Sequence, residues 1–177
     1  IQHKVNGRFL DAYLTGGAQD FSARTETENF SDSQKWIIEE NDDGTYTVRQ
    51  KENGRFLDAY PTGGAKDFSA VTRGPQHDDS QKWDIKGFVD GSYTIQQKEN
   101  GRFLDAWETL AKDFSAVTRP KKTVDFLIHD SQKWIIRPDE NVLSTAIGLA
   151  NLNQGSLFVF SGGAEPSVNE ADAGNFS

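Results

Sequence analysis

An aspartate followed two residues later by an aromatic side chain occurs three times in the chain, at intervals of 47 residues. The pairs are Asp11 with Tyr13, Asp58 with Tyr60, and Asp105 with Trp107. An ionised carboxylate accepts hydrogen bonds, and an aromatic ring offers an apolar face. Because residues i and i+2 share one face of a strand, each pair could contact the same ligand.

The histidines and the acidic turns do not indicate a catalytic or metal site. His3, His77 and His129 occupy non-matching positions, and none is spaced with a carboxylate or a second histidine as a metal-ligand set would be. We interpret all three as surface residues. The segment ENDDG at 40–44 lacks the spaced ligands and the closing glutamate of an EF-hand loop. We therefore expect no catalytic activity, no bound metal and no cofactor.

The aspartate and aromatic pairs belong to a longer repeat. The heptapeptide NGRFLDA begins at residues 6, 53 and 100, DFSA begins at 20, 67 and 113, and SQKW begins at 33, 80 and 131. Two β-prone runs flank each Asn-Gly, a dipeptide that favours a type I′ hairpin turn. In the second unit, DFSAVTR and QKWDI indicate a third and a fourth strand, and both have counterparts in the other units.

Three units of four strands predict an all-β fold of the β-trefoil type, with pseudo-threefold symmetry and repeats at about 1–44, 45–91 and 92–137. The β-branched residues and turn glycines exclude a helical solenoid, and a propeller normally needs at least four blades. Alternation of side chains predicts a core of leucine, alanine, tryptophan and isoleucine. The members are Leu10, Leu57, Leu104, Ala12, Ala59, Ala106, Trp36, Trp83, Trp134, Ile38 and Ile136.

A Gln-x-Trp motif in every unit, behind an early Leu-Asp pair, resembles the ricin B-chain-like lectin family. The motifs are Gln34/Trp36, Gln81/Trp83 and Gln132/Trp134. The resemblance covers residues 1 to about 137. It implies a β-trefoil that binds sugars, often galactose or N-acetylgalactosamine, in one shallow pocket per repeat. The sugar-binding aspartate of the family corresponds to Asp11, Asp58 and Asp105.

Two departures from the family pattern affect the predicted sites. The stacking aromatic of the family commonly lies on the third strand, where this chain has ARTE or AVTR, and serine replaces the asparagine that often precedes the glutamine. We therefore expect the rings that follow the aspartates to cover the sugar, namely Tyr13, Tyr60 and Trp107. The motif glutamines are predicted to tie the last strand to the neighbouring loop and are also candidate sugar contacts: Gln34, Gln81 and Gln132.

Charge and composition limit the classes of partner. Most of the formal net charge of -8 lies in residues 138–177, which hold five acidic and no basic residues. The repeat region has no basic stripe, so nucleic acid, heparin and anionic membranes are poor candidates. No run approaches the roughly 18 apolar residues of a membrane helix. The absence of cysteine excludes disulfides, and the compartment stays open, with secretion slightly favoured.

Residues 138–177 form a C-terminal extension beyond the repeats. VLSTAIGLANL has helix-like apolar spacing, and SLFVF at 156–160 resembles a strand. We expect residues 141–160 to pack against the trefoil, against a second subunit in a homo-oligomer, or against a further domain. The extension could also be a linker.

These observations predict a non-catalytic, multivalent lectin that binds glycans or glycoproteins and agglutinates cells as a hemagglutinin does. One alternative is a protein-binding trefoil, either a protease inhibitor acting through the asymmetric loop at 120–129 or a cytoskeletal cross-linker. Another is the targeting module of a toxin or of a glycan-degrading enzyme.

Overall fold

The computed structural model describes residues 1–125 and 127–139. Residues 1–139 form one compact unit. The predictions made for residues 141–160 therefore lie outside the described residues. The described chain contains short strands and five single-turn 3₁₀ helices, and no α-helix.

Twelve strands form the main sheet, and two more form a separate hairpin. In chain order they are β1 Gln2–His3, β2 Phe9–Ala12, β3 Ala23–Glu26, β4 Trp36–Glu40, β5 Tyr46–Gln50, β6 Phe56–Ala59, β7 Ala70–Arg73, β8 Trp83–Gly87, β9 Tyr93–Gln97, β10 Phe103–Ala106, β11 Ala116–Arg119, β12 Thr123–Val124, β13 Leu127–Ile128 and β14 Trp134–Ile135. Each repeat supplies four strands to the main sheet, the third repeat using β9, β10, β11 and β14.

The topology is that of a β-trefoil. The first and fourth strands of the repeats pair in the order β4, β5, β8, β9, β14, β1, which nearly closes a barrel. The second and third strands form three hairpins, β2 with β3, β6 with β7, and β10 with β11. These hairpins meet one another through isolated bridges such as Ser22 with Val71 and Ser69 with Val117. The predicted fold class is thus confirmed.

The hairpin turns at Asn-Gly form where predicted but not as type I′ turns. A type I′ turn needs positive φ at both central residues. Only the glycine has one, with φ of +67° at Gly7. The Gly7 amide donates to the His3 carbonyl at 3.0 Å, which closes a loop longer than two residues. The Asn6 side chain accepts a hydrogen bond from the Arg8 amide at 2.9 Å and so stabilises this turn.

The predicted core is present, with one asymmetry. Leu10, Leu57 and Leu104 are fully buried, as are Trp83 and Trp134, whereas Trp36 is partly buried against the same cluster. In every repeat the indole N–H donates to the carbonyl oxygen of the core leucine, at 2.9 to 3.1 Å. Each tryptophan therefore fills the core and also satisfies a backbone acceptor that burial would otherwise leave unpaired.

His3 is buried, so its interpretation as a surface residue is wrong. Its ring is 0% exposed and lies 4.9 Å from the Trp134 ring. It occupies the position that Gln50 and Gln97 hold in the other repeats. The His3 Nε2 atom lies 2.9 Å from the Ser131 carbonyl, whereas Gln50 and Gln97 donate to the corresponding serine carbonyls. Because a carbonyl only accepts, His3 carries its proton on Nε2.

Candidate functional site

The three predicted aspartates lie at matching positions on the second strand of each repeat. We call the surroundings of Asp11, Asp58 and Asp105 site 1, site 2 and site 3. In each site Oδ1 accepts a hydrogen bond from the amide of the next residue, at 2.6 to 2.8 Å. The preceding leucine points into the core, so strand alternation directs the carboxylate the other way. The geometry of Oδ1 is therefore common to all three sites.

The Oδ2 atoms differ from site to site. Asp105 Oδ2 accepts from Lys122 Nζ at 2.7 Å and from Ser131 Oγ at 3.4 Å. Asp58 Oδ2 accepts from Ser80 Oγ at 3.3 Å and lies 3.4 Å from Arg73 Nε. For Asp11, the described residues provide no hydrogen bond or ion pair to Oδ2.

Burial also distinguishes the sites. Asp58 and Asp105 are each 2% exposed, and Asp11 is 7% exposed. Burial raises the pKa of Asp58 because it penalises the charged form, although the hydrogen bond from the Ala59 amide and the charge of Arg73 oppose the rise.

The serines that replace the family asparagine take two roles. Ser80 and Ser131 donate to the aspartates of their own sites. In the first repeat, the Ser33 hydroxyl lies 2.6 Å from the Ser31 hydroxyl and has no such bond to Asp11. Serine therefore supports the carboxylate in sites 2 and 3 only.

The predicted stacking rings lie between repeats. The Tyr13 hydroxyl donates to Asp113 Oδ2 of the third repeat at 2.8 Å, and the Tyr60 hydroxyl donates to Asp20 Oδ2 of the first. Trp107 lies beneath Arg119, whose Nη2 atom is 3.6 Å from Asp67 of the second repeat. The rings thus connect neighbouring hairpins, and their contact with a ligand stays a prediction.

A guanidinium group also covers each of these rings. Arg24 lies 4.0 Å from the centroid of Tyr13, Arg73 lies 4.6 Å from that of Tyr60, and Arg119 lies 4.3 Å from that of Trp107. At such distances a cation is attracted to the ring face. A lysine also lies over two of the rings, Lys66 at 4.5 Å from the centroid of Tyr60 and Lys112 at 5.4 Å from that of Trp107. A sugar that stacks on one of the three rings must therefore avoid or displace these cations.

The motif glutamines bind the loop that follows the third strand. Gln81 donates to the Gly74 carbonyl at 2.8 Å and accepts from the Gln76 amide at 2.9 Å. Gln34 and Gln132 make the same pair of bonds in their own repeats. These contacts match the predicted tie between the last strand and the loop. They use one donor and one acceptor of each side-chain amide and so reduce its capacity for direct sugar contact.

Replacing Gln81 with Ala is expected to lower the free energy of unfolding by about 2 kcal/mol, because two hydrogen bonds to backbone groups are lost. Urea denaturation measures this change. The control is Gln76→Ala, which removes an exposed side chain with only long contacts to Gln81 and Ser80, at 3.3 and 3.4 Å, and should cost less than about 0.5 kcal/mol. Unchanged stability in Gln81→Ala together with weaker glycan binding would instead identify Gln81 as a ligand contact.

An additional hairpin borders site 3. β12 and β13 pair through Val124 and Leu127, both of which are largely exposed. The segment begins at Lys122, whose amide donates to Gln132 and whose carbonyl accepts from the His129 amide. At the end of the segment, His129 Nδ1 accepts a hydrogen bond from the Ser131 amide at 3.1 Å. Both ends of the insertion are therefore anchored beside Asp105.

A cleft of about 180 Å³ lies beside the loop that follows the third strand of the second repeat. Its lining includes Phe56, Pro75, His77 and Gln81 but neither Asp58 nor Tyr60. The cleft therefore includes the motif glutamine of the second repeat but not the Asp58 carboxylate. Within the described ranges, 1–125 and 127–139, no cluster of acidic residues and histidines could hold a metal ion. The same ranges contain no helix long and apolar enough to cross a membrane.

The sequence did not identify the cations that distinguish the sites. Neither Arg73 nor Lys122 has a sequence spacing that places it beside an aspartate, because Arg73 is 15 residues from Asp58 and Lys122 is 17 residues from Asp105. The sequence does contain one signal of this difference. The first repeat has Glu26 at the position of Arg73 in the second, so the charge near one aspartate is reversed.

Comparisons with known proteins agree with the β-trefoil fold. The sequence profile of the family described as "Ricin-type beta-trefoil lectin domain-like" matches residues 1–71 and 32–118. A search of curated proteins gives no match to the sequence.

Among solved structures, the chain is similar to a designed threefold-symmetric protein, ThreeFoil, with a TM-score of 0.64, 18% identity, and coverage of 76% of this chain and 93% of that one. It is similar to a Rhizoctonia solani agglutinin, with a TM-score of 0.60, 17% identity and coverage of 76% and 89%. For a mosquitocidal holotoxin, the TM-score is 0.64 and the identity 15%, and the match covers 76% of this chain but 16% of the toxin. At these identities the likeness establishes the fold.

Proposed function

The chain belongs to the ricin-type β-trefoil lectin domain-like family, and on this premise we propose that it binds carbohydrate and performs no catalysis itself. The observation that carries the proposal is the repeated carboxylate. In all three repeats, the amide of the next residue holds Oδ1 in the same way. A carboxylate held at a strand end can accept hydrogen bonds from neighbouring sugar hydroxyls.

We assign the ligand class as terminal galactose or N-acetylgalactosamine, as the family resemblance of the Leu-Asp and Gln-x-Trp motifs implies. Shallow sites bury little ligand surface, so each one binds weakly. Three sites on one domain can engage several glycans of one surface, and their combined affinity exceeds that of a single site. Agglutination of cells follows from sites that lie on different repeats.

A glycan array probed with the wild-type chain tests this proposal. We expect signals on glycans that end in galactose or N-acetylgalactosamine. Free N-acetylgalactosamine should compete for these signals, and free glucose serves as the control that should not. Absence of binding to every glycan would contradict the lectin function, whereas binding confined to another terminal sugar would contradict the ligand class.

Binding at site 2 should weaken as the pH falls, and it should begin to do so above the ordinary aspartate pKa of about 3.9. The reason is that burial raises the pKa of Asp58, so this carboxylate loses its charge sooner on acidification. The affinity of a variant with only site 2 intact, Asp11→Asn/Asp105→Asn, would be measured between pH 7 and pH 4. An affinity that stays constant throughout that range would contradict the prediction.

A second candidate is the targeting module of a larger toxin. The observation that favours it is the similarity to a mosquitocidal holotoxin of which the chain matches 16%. In that role the domain would still bind glycans and would direct a further domain to a cell surface. Binding of the labelled chain to cells, lost after enzymatic removal of surface glycans, is the expected result. Binding that persists after this treatment would contradict the targeting role.

A further inference from the structure

The capacity of each aspartate to accept further hydrogen bonds differs between the sites. A carboxylate oxygen has two lone pairs and can accept about two hydrogen bonds. Oδ1 is partly used by the adjacent amide in every site, so Oδ2 is the main acceptor left for a sugar hydroxyl. What already occupies Oδ2 therefore determines how much of the site is free.

In site 3, two donors belonging to the protein occupy Asp105 Oδ2. Lys122 Nζ lies at 2.7 Å, a short charge-assisted bond, and Ser131 Oγ lies at 3.4 Å. The Lys122 backbone is held by Gln132 and His129, while its side chain is 46% exposed. The ammonium group is thus delivered to the carboxylate by an anchored loop, and solvent weakens the pair without removing it.

In site 2 the occupation is weaker. Ser80 Oγ and Arg73 Nε lie 3.3 and 3.4 Å from Asp58 Oδ2, both longer than the usual hydrogen-bond distance. Arg73 also lies over the Tyr60 ring, so its position depends on two contacts. A sugar hydroxyl competes here with two weak partners.

In site 1, no lysine or arginine of the described residues pairs with the carboxylate. Glu26 takes the position of Arg73 and pairs with Arg24 at 2.7 Å and with Arg8 at 3.3 Å. Ser33 contacts Ser31 instead of Asp11. Within the described residues, Asp11 Oδ2 has no hydrogen-bond or ion-pair partner, and Asp11 is the most exposed of the three aspartates.

We propose that the affinity for sugar is highest at site 1, lower at site 2 and lowest at site 3. The reason is that Arg73 in site 2 and Lys122 in site 3 occupy the acceptor that the sugar needs. The inference rests on the proposed carbohydrate binding. It means that two residues of the protein lower the affinity of their own sites for sugar. Lys122 limits the affinity of site 3. The first repeat has Glu26 where the second has Arg73, so Asp11 Oδ2 stays available to a sugar hydroxyl.

Three double variants isolate the sites, with N-acetylgalactosamine as the titrated probe. Asp58→Asn/Asp105→Asn leaves site 1, Asp11→Asn/Asp105→Asn leaves site 2, and Asp11→Asn/Asp58→Asn leaves site 3. Urea denaturation confirms that each variant is folded. We expect the dissociation constant to rise from the first variant to the third.

Adding Lys122→Gln to the variant that retains only site 3 should lower its dissociation constant, by up to about fivefold as expected for a solvent-exposed ion pair. The matched control is Lys121→Gln, which removes the same charge from the adjacent exposed residue and should change nothing. Equal affinities of the three sites, or a Lys122→Gln change that leaves binding unchanged or weakens it, would overturn the inference. In that case binding by the wild-type chain shows that the proposed function stands. A wild-type chain that binds no glycan contradicts both.

Discussion

Exchange of Asp11, Asp58 and Asp105 for Asn in one variant should reduce glycan binding by about 10- to 100-fold while the fold persists. In the proposed sites each carboxylate supplies the charged acceptor, and hydrogen bonds to charged groups contribute about 1.5 to 3 kcal/mol. The asparagine side-chain oxygen can still accept from the adjacent amide, so the strand geometry is retained. Binding of the wild-type and variant chains to the array glycans measures the loss, and urea denaturation measures stability.

The chain offers a matched control for this variant in the aspartates of the DFSA tetrads. The triple change Asp20→Asn/Asp67→Asn/Asp113→Asn removes the same number of charges at threefold-related positions. These carboxylates contact Tyr60, Arg119 and Tyr13, and their side chains are about half exposed. We expect the control to bind glycans nearly as well as the wild type. If the control lost binding and the first variant kept it, the sugar sites would lie at the clusters around the rings.

Replacing Trp83 with Ala should lower the free energy of unfolding by about 4 kcal/mol. The fully buried indole leaves a large cavity, and such substitutions cost about 3 to 5 kcal/mol. The change also removes the N–H that donates to the Leu57 carbonyl at 3.1 Å. Urea denaturation with an unchanged slope would measure the difference.

Trp36 provides the comparison for Trp83, because it makes the same hydrogen bond to Leu10 but is partly exposed. Trp36→Ala should therefore cost roughly half as much. If Trp83→Ala leaves too little folded protein to measure, Trp83→Phe keeps most of the ring, loses the donor and should cost about 1 to 2 kcal/mol. Equal losses for Trp36→Ala and Trp83→Ala would contradict the asymmetric core.

The fold was predictable because its determinants are local and occur three times. The Asn-Gly turns, the alternation of FLDA and the tryptophan of SQKW each specify a short element, and the 47-residue period fixes how many times it occurs. The details of the turn were missed, because the Asn6 side chain stabilises a longer loop in which only Gly7 needs positive φ. The burial of His3 was not predicted because the other repeats have glutamine at this position. His3 matches Gln50 and Gln97 in size and in the place of its donor atom, but not in residue type.

The candidate aspartates could be identified from the sequence, but their differences could not. Those differences arise where distant segments meet, as when Lys122 at the start of an insertion reaches Asp105. The rings show the same limitation. Tyr13 follows Asp11 by two residues, yet its hydroxyl contacts Asp113, which is brought near only by the meeting of the three hairpins.

The central claim is that sugars bind at the second-strand aspartates, and an amide chemical-shift titration with N-acetylgalactosamine tests it most directly. The amides of Ala12, Ala59 and Ala106 donate to these carboxylates and should report any new hydrogen bond to them. We expect the largest shift at Ala12 and smaller ones at Ala59 and Ala106. Shifts confined to the β12–β13 hairpin or to the cleft around His77, with Ala12 unchanged, would contradict the claim.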